Sequence, residues 1–156
     1  MVKYVDSKVV FEEIPDCVTL AVTISNCPFH CKGCHSDYLR EDIGEVLDNR
    51  TIDELLKKNN GVNCFLFLGD SRNTSEINEC AKYIKENHPN IKTAVYSGYD
   101  TIIDEYKKYF DYVKTGKYIK ELGPISSKTT NQRLYKRNGE RFIDITILLQ
   151  ERYDNL

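Results

Sequence analysis

With 156 residues, 40% of them hydrophobic and 29% charged, the chain can bury an ordinary core and is expected to form a single domain over residues 1–156. A net charge of −2 gives no general attraction to nucleic acid or a membrane, and no run approaches the ~20 apolar residues that cross a bilayer. No apolar stretch follows a basic start, so no signal peptide is expected. The chain reads as cytoplasmic, where its six cysteines suit metal ligation or free thiols rather than disulfides.

Residues 8–13 read as a short strand, and residues 17–25 are β-rich and almost continuously apolar, as a buried strand requires. Thr51-Ile52-Asp53-Glu54 has the form of a capping box, opening a helix that ends near Asn59-Asn60-Gly61. Residues 62–68 form the next buried strand. Residues 74–86 carry Ile77, Cys80, Ala81 and Ile84 at helical spacing and stop at His88-Pro89. Residues 93–97 are a third strand, Asp100 is placed to cap a helix through Tyr109, and Tyr112-Val113 starts a fourth strand. Asn138-Gly139, between residues 134–137 and 140–147, marks a hairpin, because Asn-Gly tolerates the positive φ angles of a type I′ turn.

Strands alternating with helices predict an α/β fold built on a parallel sheet. Sites in such folds lie at the carboxyl ends of the strands. That rule gathers three features into one mouth: the cysteine loop after the first long strand, Gly69-Asp70 after the second, and Ser97-Gly98 after the third.

The cysteine loop reads Cys27-Pro28-Phe29-His30-Cys31-Lys32-Gly33-Cys34-His35. Three thiols at the spacing Cys-x3-Cys-x2-Cys can hold three irons of a [4Fe–4S] cluster, whereas closed ferredoxin sites add a fourth cysteine. An open metal position invites a small molecule, as in catalytic metal sites. Three rival readings stay open. Cys31 to His35 matches the C-x-x-C-H of haem attachment, which needs assembly outside the cytosol. His30 or His35 could complete a zinc shell. Cys31 and Cys34 could be a redox pair, which leaves Cys27 unused.

Cys17, Cys64 and Cys80 fall in strands or on an apolar helix face and are expected to act as small hydrophobes. Between Lys114 and Arg141 eight basic residues stand against two acidic ones. That bias suits a solvated face or an acidic partner protein rather than nucleic acid, for which no binding fold is recognised.

The cysteine spacing after a strand resembles that of the radical S-adenosylmethionine (SAM) enzymes. Asn26 to His35, then Tyr96-Ser97-Gly98-Tyr99, then Asn131-Gln132-Arg133 resemble, in order, the activating proteins of anaerobic ribonucleoside-triphosphate reductase. The resemblance implies a short, incomplete (β/α) barrel of the radical SAM type with a C-terminal β-hairpin. It implies a [4Fe–4S] cluster on Cys27, Cys31 and Cys34 and SAM as the second cofactor. Gly69 and Asp70 would receive the amino group of SAM, Ser97 and Gly98 its carboxylate, and His35 would line the adenine site. No catalytic side chain is expected beyond these ligands. Asn131, Gln132 and Arg133 would dock the partner. That partner would be the large reductase subunit, which acquires a glycyl radical, and flavodoxin or ferredoxin would donate the electron. Two departures stand out. The chain has Leu68-Gly69-Asp70-Ser71 where the family has Gly-Gly-Glu-Pro or Gly-Gly-Asp-Pro, and Thr115 replaces the second acid of the family segment that begins here at Asp111. The alternatives are a small radical SAM enzyme acting on a small molecule, and a non-catalytic zinc-binding or iron–sulfur electron-transfer module.

Overall fold

A computed structural model describes residues 1–29 and 37–154. Within them lie strands β1 (Lys3–Val10), β2 (Thr19–Ile24), β3 (Glu45–Val46), β4 (Cys64–Leu68), β5 (Lys92–Tyr96), β6 (Tyr112–Thr115), β7 (Arg133–Asn138) and β8 (Arg141–Asp144). They form one sheet in the order β3-β1-β2-β4-β5-β6-β7-β8. Strands β2, β4, β5 and β6 run parallel at its centre, and antiparallel pairs flank them on both sides. The parallel strands carry the apolar runs because both of their faces are covered.

Helices α1 (Asn49–Lys58) and α2 (Thr74–Asn87) cover one face. There Leu20, Val22 and Ile24 of β2 and Phe65 and Phe67 of β4 pack with Ile52 of α1 and Ile77, Ala81 and Ile84 of α2. The other face holds Ala21, Leu66, Ala94, Tyr112 and Leu134, closed by Ile14 and by Leu149 of helix α3 (Thr146–Asp154).

Four boundaries differ clearly from the sequence reading. The first strand, read over residues 8–13, spans Lys3–Val10, where it pairs with both β2 and β3. Asp48, not Thr51, caps α1: its carboxylate accepts the Thr51 N–H at 2.8 Å, so the helix starts at Asn49. Asp is as strong a cap as Thr, and this start leaves Ile52, Leu55 and Leu56 facing the sheet. No α-helix follows Asp100; a 3-10 turn, Asp104–Lys107, lies there instead. Tyr106 and Phe110 are both buried with ring centroids 5.2 Å apart, and Phe110 meets Phe67 at 5.8 Å, so core anchoring shapes this segment. The last strand stops at Asp144 rather than near Ile147. The Asp144 carboxylate accepts the Thr146 N–H at 2.9 Å and its hydroxyl at 2.7 Å, and this turn starts α3.

The parallel register brings the carboxyl ends of β2, β4, β5 and β6 side by side. The antiparallel β7 begins at that same end, since Arg133 pairs with Thr115.

Candidate functional site

Cys27 leaves the end of β2 and is half-buried in the mouth. Its N–H donates to the Leu39 carbonyl at 2.8 Å, and the Asn26 N–H donates to the Glu41 carbonyl at 2.9 Å. Asn26 turns the chain with φ 59°, and its side-chain carbonyl accepts from Arg72 Nε at 3.0 Å. The loop start is therefore fastened to residues 39–41 on one side and to the loop after β4 on the other. Cys31, Cys34 and His35 lie outside the described residues.

Phe29, two residues beyond Cys27, spans the mouth. An ideal Cβ built on Gly98 would stand 2.6 Å from its ring, so the absent side chain of Gly98 is what seats Phe29. The ring meets Tyr99 edge-on at 5.0 Å, and the exposed Lys117 ammonium stands 5.2 Å from its centroid. Sequence reasoning gave no role of their own to Phe29 and Arg72, and it quoted Tyr99 and Lys117 only as members of a motif and of a basic series. An aromatic residue inside the cysteine motif was the signal for the first.

Gly69 has φ 126°, a region closed to most side chains, and it passes close to the Ile24 carbonyl at the end of β2. Asp70 is 1% exposed. Its two oxygens accept separately, Oδ2 from the Gly98 N–H at 2.8 Å and Oδ1 from the Tyr106 hydroxyl at 2.8 Å. Burial pushes the Asp70 carboxyl up; the donors Gly98, Tyr106 and Ser97 and the Lys114 charge pull the other way. Ser97 is fully buried, and its hydroxyl oxygen accepts the Tyr99 N–H at 3.1 Å. Asp70 and Ser97 thus tie the β4 and β5 ends to each other.

Asn131 and Gln132 bond to the turn after β6, and Arg133 pairs with Asp144 at the surface. Asn131 Nδ2 donates to the Lys117 carbonyl at 2.9 Å and Gln132 Nε2 to the Gly116 carbonyl at 3.1 Å. Arg133 Nε pairs with Asp144 at 2.8 Å. Together they hold the turn after β6 and the root of the hairpin. Asp111, the retained acid of the departing segment, accepts the Thr93 N–H at 2.9 Å and pairs with Lys85.

The other cysteines sit elsewhere. Cys17 and Cys64 lie in the core at the opposite ends of the strands, and Cys80 is in α2 with its thiol against the Leu47 carbonyl. A hydrogen bond to Cys64 brings the Cys17 thiol down, and the same contact, with burial, pushes Cys64 up. Burial pushes Cys80 up to about 12. The thiol placed at the mouth among the described residues is that of Cys27; Cys31 and Cys34 follow it in sequence, and thiolate is the ligand type that iron–sulfur clusters take.

Among the described residues no helix is long and apolar enough to cross a membrane. A search of curated proteins and a search of solved structures each return no match. Residues 16–136 match the family model described as the 4Fe-4S single cluster domain, and this span covers more than half of the chain. It runs from just before β2 to within β7, and so takes in the cysteine loop and every strand end that forms the mouth. The chain belongs to the 4Fe-4S single cluster domain family.

Proposed function

We propose that this protein is a radical SAM activase that makes a glycyl radical on the large subunit of an anaerobic ribonucleoside-triphosphate reductase. One observation carries the reading. Of the six cysteines, the three outside the motif are buried in the core, which leaves Cys27, Cys31 and Cys34 to hold the cluster. Three thiolates on a four-iron cluster leave one iron open to a small molecule. The matched family is also found in radical SAM-type proteins. In this reading the eight-stranded sheet is the wall of a short, incomplete (β/α) barrel.

A reduced [4Fe–4S] cluster held by Cys27, Cys31 and Cys34 would supply the single electron for reductive cleavage of SAM. The chain's own residues bind, orient and shield. Phe29 and Tyr99 cover the mouth with apolar surface beside Cys27 and keep water away. Gly69 and Gly98 bring bare backbone to its rim, and Asp70 fixes the Gly98 amide in place. His35 is assigned to the adenine side. The sheet face opposite α1 and α2 is filled by Ile14, Leu66, Tyr112, Leu134 and Leu149. A substrate glycine delivered on a partner's loop suits that filled face better than a small molecule enclosed within it. The basic residues beyond the buried Lys114, from Lys117 to Arg141, form the face proposed to meet the partner, with Asn131, Gln132 and Arg133 shaping its turn.

The test is anaerobic reconstitution, reduction with dithionite in the presence of SAM, and chromatographic assay for 5′-deoxyadenosine, with and without the reductase. The expected result is a brown protein with about four irons per chain that produces 5′-deoxyadenosine. Iron without cleavage, even with the reductase added, would leave an electron-transfer protein. A colourless zinc protein would overturn the reading.

A further inference from the structure

Lys114 is 8% exposed, in a strand whose four residues are all buried. Val113 and the buried Thr115 flank it in its own strand, and Tyr96 and Leu134 are its paired partners, so no carboxylate adjoins it in the sheet. A buried ammonium carries a large desolvation penalty unless it is compensated, and an apolar residue of similar size often serves stability as well. Its retention at a strand end therefore asks for a reason other than packing.

The compensation shows the reason. Lys114 Nζ donates to the Ser97 carbonyl at 2.9 Å and to the Gly116 carbonyl at 3.0 Å. It lies 5.5 Å from the Tyr96 ring centroid, and its charge acts on Asp70. The Gly116 carbonyl also receives Gln132 Nε2. One ammonium thus draws together the loops after β5 and β6 and leans on the acid after β4. Three backbone amides close the same ring: Ser97 N–H to the Lys114 carbonyl at 2.8 Å, Gly116 N–H to the Tyr99 carbonyl at 2.7 Å, and Gly98 N–H to Asp70.

We propose that Lys114 is the positioning residue of the mouth: it clamps the Ser97 and Gly116 carbonyls so that the strand-end loops keep the spacing a ligand beside Cys27 requires. The ligand part rests on the reading of that mouth as a SAM site; the clamp itself does not. Lys114 acts through Ser97 and Gly116 and is not a catalytic residue.

The experiment compares wild type, Lys114→Met and Lys114→Arg. Amide hydrogen exchange is read at Ser97, Gly98 and Gly116, with Phe67 and Val95 in the strand interiors as reference. The reconstituted proteins are then measured for iron content and for binding of SAM by equilibrium dialysis. In Lys114→Met, exchange at the three mouth amides should rise at least tenfold against the reference amides. Iron content should hold, and SAM should bind at least tenfold more weakly. Lys114→Arg, which keeps charge and donors, should recover most of both effects. Unchanged exchange at the mouth overturns the proposal. So does a uniform loss of protection across the sheet, the mark of a merely structural lysine. Should Lys114→Met not fold, Lys114→Gln carries the same comparison. A wild-type protein that holds iron but does not bind SAM would sink the SAM reading, while the exchange contrast would still decide the clamp.

Discussion

Tyr106 donates its hydroxyl hydrogen to Asp70 Oδ1 at 2.8 Å, from a ring with no exposed surface, 36 residues along the chain. This bond joins the floor of the mouth to the 3-10 turn that replaces the expected helix. Removing it in Tyr106→Phe leaves one carboxylate oxygen with a donor fewer in a buried place, at a cost of about 1–3 kcal/mol. Urea unfolding at neutral pH should show a lower midpoint with an unchanged slope. A midpoint equal to that of wild type would mean that water replaces the phenol and that the bond contributes nothing net.

Gly98→Ala drives a methyl group into the Phe29 ring, whose nearest carbon stands 2.6 Å from the ideal Cβ position. Overpacking of this kind costs about 1–3 kcal/mol, and here the strain falls on the residue two places from Cys27. The variant should lose iron on desalting faster than wild type. Phe29→Ala in the same chain should restore part of that loss, because the clash is with that ring. A strictly additive double mutant would show that the two residues do not meet.

Substitutions among the cysteines should separate by place rather than by number. Cys64→Ala and Cys80→Ala should leave the iron content of the reconstituted protein unchanged and lower stability by roughly 1 kcal/mol through lost core packing. Cys27→Ala, Cys31→Ala and Cys34→Ala should each abolish both cluster retention and SAM cleavage. Iron analysis with urea unfolding on all five proteins reads both effects. Full iron in Cys27→Ala would end the proposed ligand assignment.

At the far end of α2, His88 Nε2 lies 2.7 Å from Asp53 Oδ1, and the Tyr83 hydroxyl donates to Asp53 Oδ2 at 2.7 Å. The bond to His88 and then that to Tyr83 hold the Asp53 carboxyl below its ordinary value of 3.8. A carboxyl lowered on folding contributes stability at pH values above that ordinary value and loses it as the pH falls through the lowered one. With Asp53 46% exposed, the contribution is under about 1 kcal/mol. Unfolding midpoints followed from about pH 5 down to pH 2 should fall less steeply in His88→Ala than in wild type.

The strands of the sheet centre were legible because double burial writes an unbroken apolar run, as in Cys64-Phe65-Leu66-Phe67-Leu68. Helix α2 was legible because Ile77, Ala81 and Ile84 recur at its period, and the hairpin because Asn138-Gly139 sits between its strands. The cap of α1 was misplaced because Asp48 and Thr51, three residues apart, are both good caps, and the buried face chose between them. Helix α3 went unread because its start depends on one short turn at Asp144 and its apolar residues do not lie on one face. At the site, residue types were readable and their partners were not. Asp70 was legible as an acid at the end of β4, whereas its donors come from residues 28 and 36 positions away. Lys114 drew notice only as one of a basic series, because nothing local marks a lysine as buried.

The two outer strands of the sheet have a consequence for the protein on its own. Any sheet with open edges can recruit a strand from a neighbouring molecule. Here one border, β3, is two residues long and carries Glu45, and the other, β8, is four residues long with Arg141 and Asp144 exposed. Short, charged borders of this kind disfavour edge-to-edge pairing between copies, so as the protein is concentrated the sheet should not extend from one molecule into the next.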